Sequence, residues 1–97
     1  MIRRFKKYPD ERKRYGLDYS DWLDASEQIL SVTVESNADG GSTFVVESGG
    51  VSGDGKKVVF YVEGGTPDEI VVVSITIHTT AYQTKEDFVR FKTVAEP

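Results

Sequence analysis

The chain has 97 residues, 38% of them hydrophobic, and a net charge of −4. That length holds one domain and one modest core. With no cysteine it has neither disulfides nor thiolate metal sites, and no apolar run approaches the roughly 20 residues of a membrane span. The basic N-terminus is not followed by an apolar stretch, so it does not read as a secretory signal.

Residues 1–14 carry seven basic and two acidic side chains, a balance of +5, while residues 15–97 carry five and fourteen, a balance of −9. The first segment shows no apolar periodicity. Pro9 interrupts any helix there, and Tyr8 before it is biased toward extended geometry. We read residues 1–14 as an extended basic arm that orders only against a partner, and residues 15–97 as the folded domain. In Tyr15–Leu23, Tyr15, Leu17 and Tyr19 share one side of an extended chain, opposite Asp18 and Ser20. Two Tyr and a Trp gain too much from burial to stay in water, so this stretch is expected to be held by contact. Asp21–Gln28 fits a helical turn, an edge strand or a turn equally well.

Five strand candidates follow. In Ile29–Glu35, Leu30, Val32 and Val34 alternate with Ser31, Thr33 and Glu35, the signature of a half-buried strand. Asn37–Gly41 is a turn, since Asn, Asp and Gly accept positive φ. Thr43–Glu47 is a short strand, and Val51 extends it after a bulge that Gly49-Gly50 permits. Lys56–Glu63 presents Val58, Phe60 and Val62 on one face. Ile70–Ala81 presents Val71, Val73, Ile75 and Ile77; its β-branched density suits a central strand. Thr84–Thr93 points Val89 and Phe91 inward, with Arg90 and Lys92 outward. Short strands, Gly-rich turns and no convincing helix predict an all-β fold, a β-sandwich.

Few residues here carry enzyme or metal chemistry. His78 is the single histidine and lies in the polar phase of a strand, without the further ligands that zinc or copper requires. It also excludes a credible Ser-His-Asp arrangement. Asp18, Asp21 and Asp24 recur every third residue but lack the spacing and terminal Glu of a calcium loop. Gly49–Gly55 leads into Lys56-Lys57 and a strand, whereas a phosphate loop ends in Lys-Ser/Thr and a helix. The reading is a non-enzyme with no cofactor and no metal site. Arg3, Arg4, Lys6 and Lys7 around Phe5 and Tyr8 could grip phosphates and stack on bases, but the acidic body opposes nucleic acid.

Pro9-Asp10, then Leu17-Asp18-Tyr19-Ser20-Asp21-Trp22-Leu23, then Glu27, Ile29, Ser31 and Val34 resemble the bacteriophage fibre-tail adaptors. Val58–Thr66, with its Gly-Gly-Thr turn, and Ile75–Ala81 are similar to later strands of that family. The resemblance runs from about Lys7 to Val94. The Arg3–Lys7 cluster is more basic than the family pattern, and Ala81-Tyr82-Gln83 replaces its usual Gly and Arg/Lys.

The resemblance implies an immunoglobulin-like β-sandwich in the virion, made in the host cytoplasm. It would join tail fibres to a tail, neck or portal-side ring, itself working as a homo-oligomeric ring and away from membranes. The implied protein-binding residues are Arg3, Arg4, Phe5, Lys6, Lys7, Tyr8, Tyr15, Tyr19 and Trp22, since Trp, Tyr and Arg dominate hot spots. Trp22 has a second reading, as a plug at the end of its own sandwich. A generic Ig-like binding module and a nucleic-acid-binding β-protein are the alternatives.

Overall fold

The computed structural model describes residues 3–95. Met1 and Ile2 of the expected arm, and Glu96 and Pro97 of the tail, lie outside them. Among the described residues the elements are seven strands: β1 Arg3–Lys7, β2 Arg12–Asp18, β3 Ile29–Ser36, β4 Val45–Val51, β5 Lys57–Glu63, β6 Ile70–Thr79 and β7 Thr84–Thr93. They form two sheets, one in the order β1-β7-β6-β3 and one in the order β2-β5-β4. β1 pairs with β7 in parallel; the other pairings are antiparallel. The all-β sandwich follows.

The period-2 pattern builds the core. Val58, Phe60 and Val62 of β5 face Val71, Val73, Ile75 and Ile77 of β6 and Val89 and Phe91 of β7, all buried. β6 lies between β7 and β3, which explains its continuous β-branched character. Toward one end the core becomes aromatic: Phe91 packs edge-on against Tyr15 at 5.0 Å and Phe60 at 6.3 Å, and tilted against Phe44 at 5.9 Å. Such edge-on arrangements set positive ring edges against negative faces.

Two expectations change. The β3–β6 register shifts between Ile29 and Ser31, so Ile29 turns inward and Leu30 is left 66% exposed. Leu30 therefore does not share a face with Val32 and Val34. A bulge does fall between Ser48 and Gly50, but β4 begins at Val45 and runs through both glycines to Val51.

The basic segment is extended, but its described part is paired within the chain itself. Arg3–Lys7 takes the register Arg3↔Val89 to Lys7↔Thr93 on β7. A turn closed by Glu11 N–H to the Tyr8 carbonyl (3.1 Å) then carries the chain to the opposite sheet. There Arg12–Asp18 pairs with β5, so a boundary drawn between residues 14 and 15 cuts β2 in its middle. The described part of this segment is thus held by strand pairing to both sheets of its own domain.

Lys7 anchors the crossing. It is 2% exposed, and its Nζ donates to the carbonyls of Tyr8 (2.8 Å) and Gly64. Burial pushes its ammonium pKa below the usual lysine value, against the nearby charges of Glu11, Glu63 and Asp10. Gly64 has φ +76°, and a Cβ there would lie 2.0 Å from the Thr43 carbonyl oxygen, so only glycine fits this turn.

Candidate functional site

Strand pairing gathers the expected protein-binding residues on one side of the sandwich, where β1 and β2 form the neighbouring edges of the two sheets. Alternation along β1 divides them. Arg4 and Lys6 point outward; Lys7 points inward and is buried. Phe5 stays 38% exposed while its ring lies 5.0 Å from Tyr15 and 5.8 Å from Phe91. It closes the gap between the sheets and still offers surface. Tyr8 is 39% exposed, and its N–H donates to Glu11 Oε1 at 2.7 Å.

Tyr15 and Tyr19 belong mainly to the interior. Tyr15 is half-buried between Phe5, Phe60 and Phe91, and burial raises its phenol pKa. Tyr19 is 5% exposed, and its hydroxyl donates to Asp87 Oδ2 at 2.7 Å. Burial first, and this hydrogen bond second, raise its pKa. The Tyr19 carbonyl accepts the N–H groups of Trp22 and Leu23, both at 3.0 Å. This tight turn fixes the Trp22 ring, which sits edge-on to Tyr19 at 6.5 Å with Lys85 Nζ 5.3 Å above its face.

Trp22 is half-buried at the rim of an open groove of about 240 Å³. Arg3, Asp18, Tyr19, Asp21, Lys85, Asp87 and Phe88 complete its polar and aromatic lining. Trp22 therefore packs on its own domain with one part and faces the groove with another. Arg3 reaches this groove, whereas Arg4, Phe5 and Lys6 line a second one on the outer sheet face. The structure thus brings Arg3, Tyr19 and Trp22 together and sets Arg4 and Lys6 apart from them.

Lys85, Asp87 and Phe88 were not singled out from the sequence. Their signal was the alternation of β7, which places Asp87 on the inward side among apolar neighbours, where a carboxylate requires a donor. The buried carboxylate of Glu27 plays a similar fastening part. It accepts from Thr79 Oγ1 and from Gln83 Nε2 (3.1 Å), tying the 19–28 segment to the β6–β7 hairpin. These donors, Thr79 first, hold its pKa below the usual carboxylate value.

His78 is exposed and shares a 3.0 Å hydrogen bond with Thr84 Oγ1. Among the described residues, no three His, Cys, Asp or Glu side chains gather in a metal-binding group. No helix among them is long and apolar enough to cross a membrane.

No curated protein matches the chain. A family model described as Podophage GP4 fiber-tail adaptor protein gp77 matches residues 7–92. The match begins at the buried Lys7 and ends one residue short of the end of β7, spanning both sheets and the Tyr19–Trp22 turn. The chain belongs to the Podophage GP4 fiber-tail adaptor protein gp77 family, a family of phage tail fibre adaptors and thus of virion structural proteins.

Proposed function

We propose that this chain is a non-enzymatic adaptor that joins tail fibres to a tail or neck ring on the portal side of the virion. In this reading it is an Ig-like sandwich, made in the host cytoplasm and assembled as a homo-oligomeric ring, so that each contact repeats by symmetry. The contacts run through Arg3, Arg4, Phe5, Lys6, Tyr8, Tyr15 and Trp22, while buried Lys7 and Tyr19 hold them in place.

The observation that carries the reading is the edge position of β1. It combines exposed cations, a half-exposed Phe5 and the adjoining Trp22 groove on one side of the domain. An aromatic anchor beside Arg, ringed by polar residues, has the composition of an interaction hot spot. The family match supports the setting, since a fibre adaptor works by holding other virion proteins together.

Trp22→Ala tests it. The isolated domain should lose less than the roughly 3–5 kcal/mol that truncation of a buried Trp costs, because the ring is only half-buried. Uptake into purified particles, measured by quantitative mass spectrometry, should fall sharply. A core-sized loss of stability, or full uptake, would defeat the assignment of Trp22 to an interface.

A further inference from the structure

The outer face of the four-stranded sheet carries a groove of about 320 Å³ lined by Arg4, Phe5, Lys6, Ile70, Arg90 and Lys92. Its charge follows from register. β1 and β7 run parallel with Arg4 beside Arg90 and Lys6 beside Lys92. Their neighbours Lys7, Val89 and Phe91 are buried, so these four cations stand together on the outward side. Like charges directly opposite on adjacent strands destabilise a sheet, and here two such pairs lie in succession.

Nothing in the groove offsets them. No carboxylate is in its lining. Among the described residues the ion pairs are those of Arg12 with Glu47 (3.0 Å) and Glu63 (2.9 Å), on the other sheet. Beside the cations, Phe5 and Ile70 (46% exposed) give the groove an apolar side.

We infer that this face docks an acidic segment of a partner protein, whose carboxylates bridge the two cation pairs while an apolar side chain rests on Ile70. The inference names a partner's chemistry within the adaptor reading and rests on it. Arg suits the task because its planar fork binds a carboxylate through two parallel hydrogen bonds. A second copy docked face to face would set four cations against four and is repelled. Duplex DNA is the poorer fit, because residues 15–97 carry a balance of −9 that opposes an extended polyanion. A short carboxylate-bearing segment needs only the groove.

The test uses the full chain and fluorescence anisotropy with three labelled probes: a peptide of alternating Glu and Leu, its Gln–Leu counterpart, and a DNA duplex. The Glu–Leu peptide should bind, and the other two should bind weakly. Arg90→Glu combined with Lys92→Glu should weaken the peptide about ten-fold or more, as should Arg4→Gln combined with Lys6→Gln, which removes charge without reversing it. Arg14→Glu, an exposed reversal on β2, should leave binding unchanged. The Arg90/Lys92 reversal should also melt about 1–5 °C higher than the parent, because each new Glu faces Arg4 or Lys6.

Equal binding of the Gln–Leu peptide, tighter binding of the duplex, or a lower melting point in the reversed variant would overturn the inference. Full uptake of that variant into particles would overturn it too, while leaving the adaptor reading intact. Failure of the adaptor reading itself would show as absence of the unaltered chain from particles.

Discussion

The Tyr19–Asp87 hydrogen bond is the most direct lever on the architecture, because it fastens the 19–23 turn to β7 beneath the Trp22 groove. Tyr19→Phe removes one oxygen and preserves the ring packing. The lost interaction is a hydrogen bond to a carboxylate at 2.7 Å from a residue that is 5% exposed. Bonds to charged groups contribute about 1.5–3 kcal/mol. Asp87 is half-buried and can recruit water, which places the cost near the lower end, at about 1.5 kcal/mol. For a domain of this size the melting temperature should fall by roughly 6–12 °C. A double-mutant cycle with Asp87→Ala isolates the pair and should give a coupling of about 1 kcal/mol.

The pH dependence gives a second measurement of the same bond. The folded pKa of Tyr19 is raised, by burial first and Asp87 second. Its contribution is therefore complete below the ordinary tyrosine pKa of about 10 and is lost as pH rises through the folded value. The stability gap between the parent chain and Tyr19→Phe should be constant at neutral pH and narrow in strong alkali. A gap that widens above that pH, or a change in melting temperature within about 1 °C at pH 7, would refute the reasoning.

Three further outcomes follow from local geometry. Tyr82 is 97% exposed at φ +62°, so Tyr82→Gly should relieve left-handed strain and stabilise the domain by about 0.5–1 kcal/mol in urea melts, after the extra unfolded-state entropy of Gly. Gly64→Ala should cost roughly 3 kcal/mol or more by the same method, because the new Cβ strikes the Thr43 carbonyl and displaces the acceptor of Lys7. Glu27 has a lowered folded pKa, so its contribution is present above the ordinary carboxylate pKa and is lost as pH falls through the folded value. Thermal melts of Glu27→Gln between neutral and acid pH should accordingly show a shallower acid-side decline than the parent chain.

The interior was legible in the sequence wherever strict alternation met β-branched residues. Val58, Phe60 and Val62, then Val71, Val73, Ile75 and Ile77, then Val89 and Phe91 needed only the two-residue period to be assigned inward, and all are buried. Leu30 failed the same test, because a bulge consumes one residue and reverses the phase beyond it, and no local signal marks a bulge between Leu and Ser. Trp22 stayed open between core and interface because it lies at the rim, packed on Tyr19 with one part and facing the groove with another. The groove residues Lys85, Asp87 and Phe88 were hidden for another reason. Asp87 meets Tyr19 through a hydrogen bond across 68 positions and Lys85 meets Trp22 across the groove, pairings that no local pattern encodes.

β1 shows why charge alone misreads a segment. Arg-Arg-Phe-Lys-Lys offers one apolar residue in five, too few for a strand by alternation, yet it completes the sheet by parallel pairing with β7. Its inward positions are met by the aromatic cluster at Phe5 and by two backbone carbonyls at Lys7, so the strand enters the fold without an apolar face of its own. Its outward positions, Arg4 and Lys6, retain the charge. One strand therefore closes the sandwich on one side and presents cations on the other. It follows that residues 3–7 are not a detachable tether. Removing them uncovers Phe91 and Tyr15 and frees the β7 edge along with any partner contact, so interface effects in this segment are better read from substitutions at Arg4 and Lys6 than from truncation.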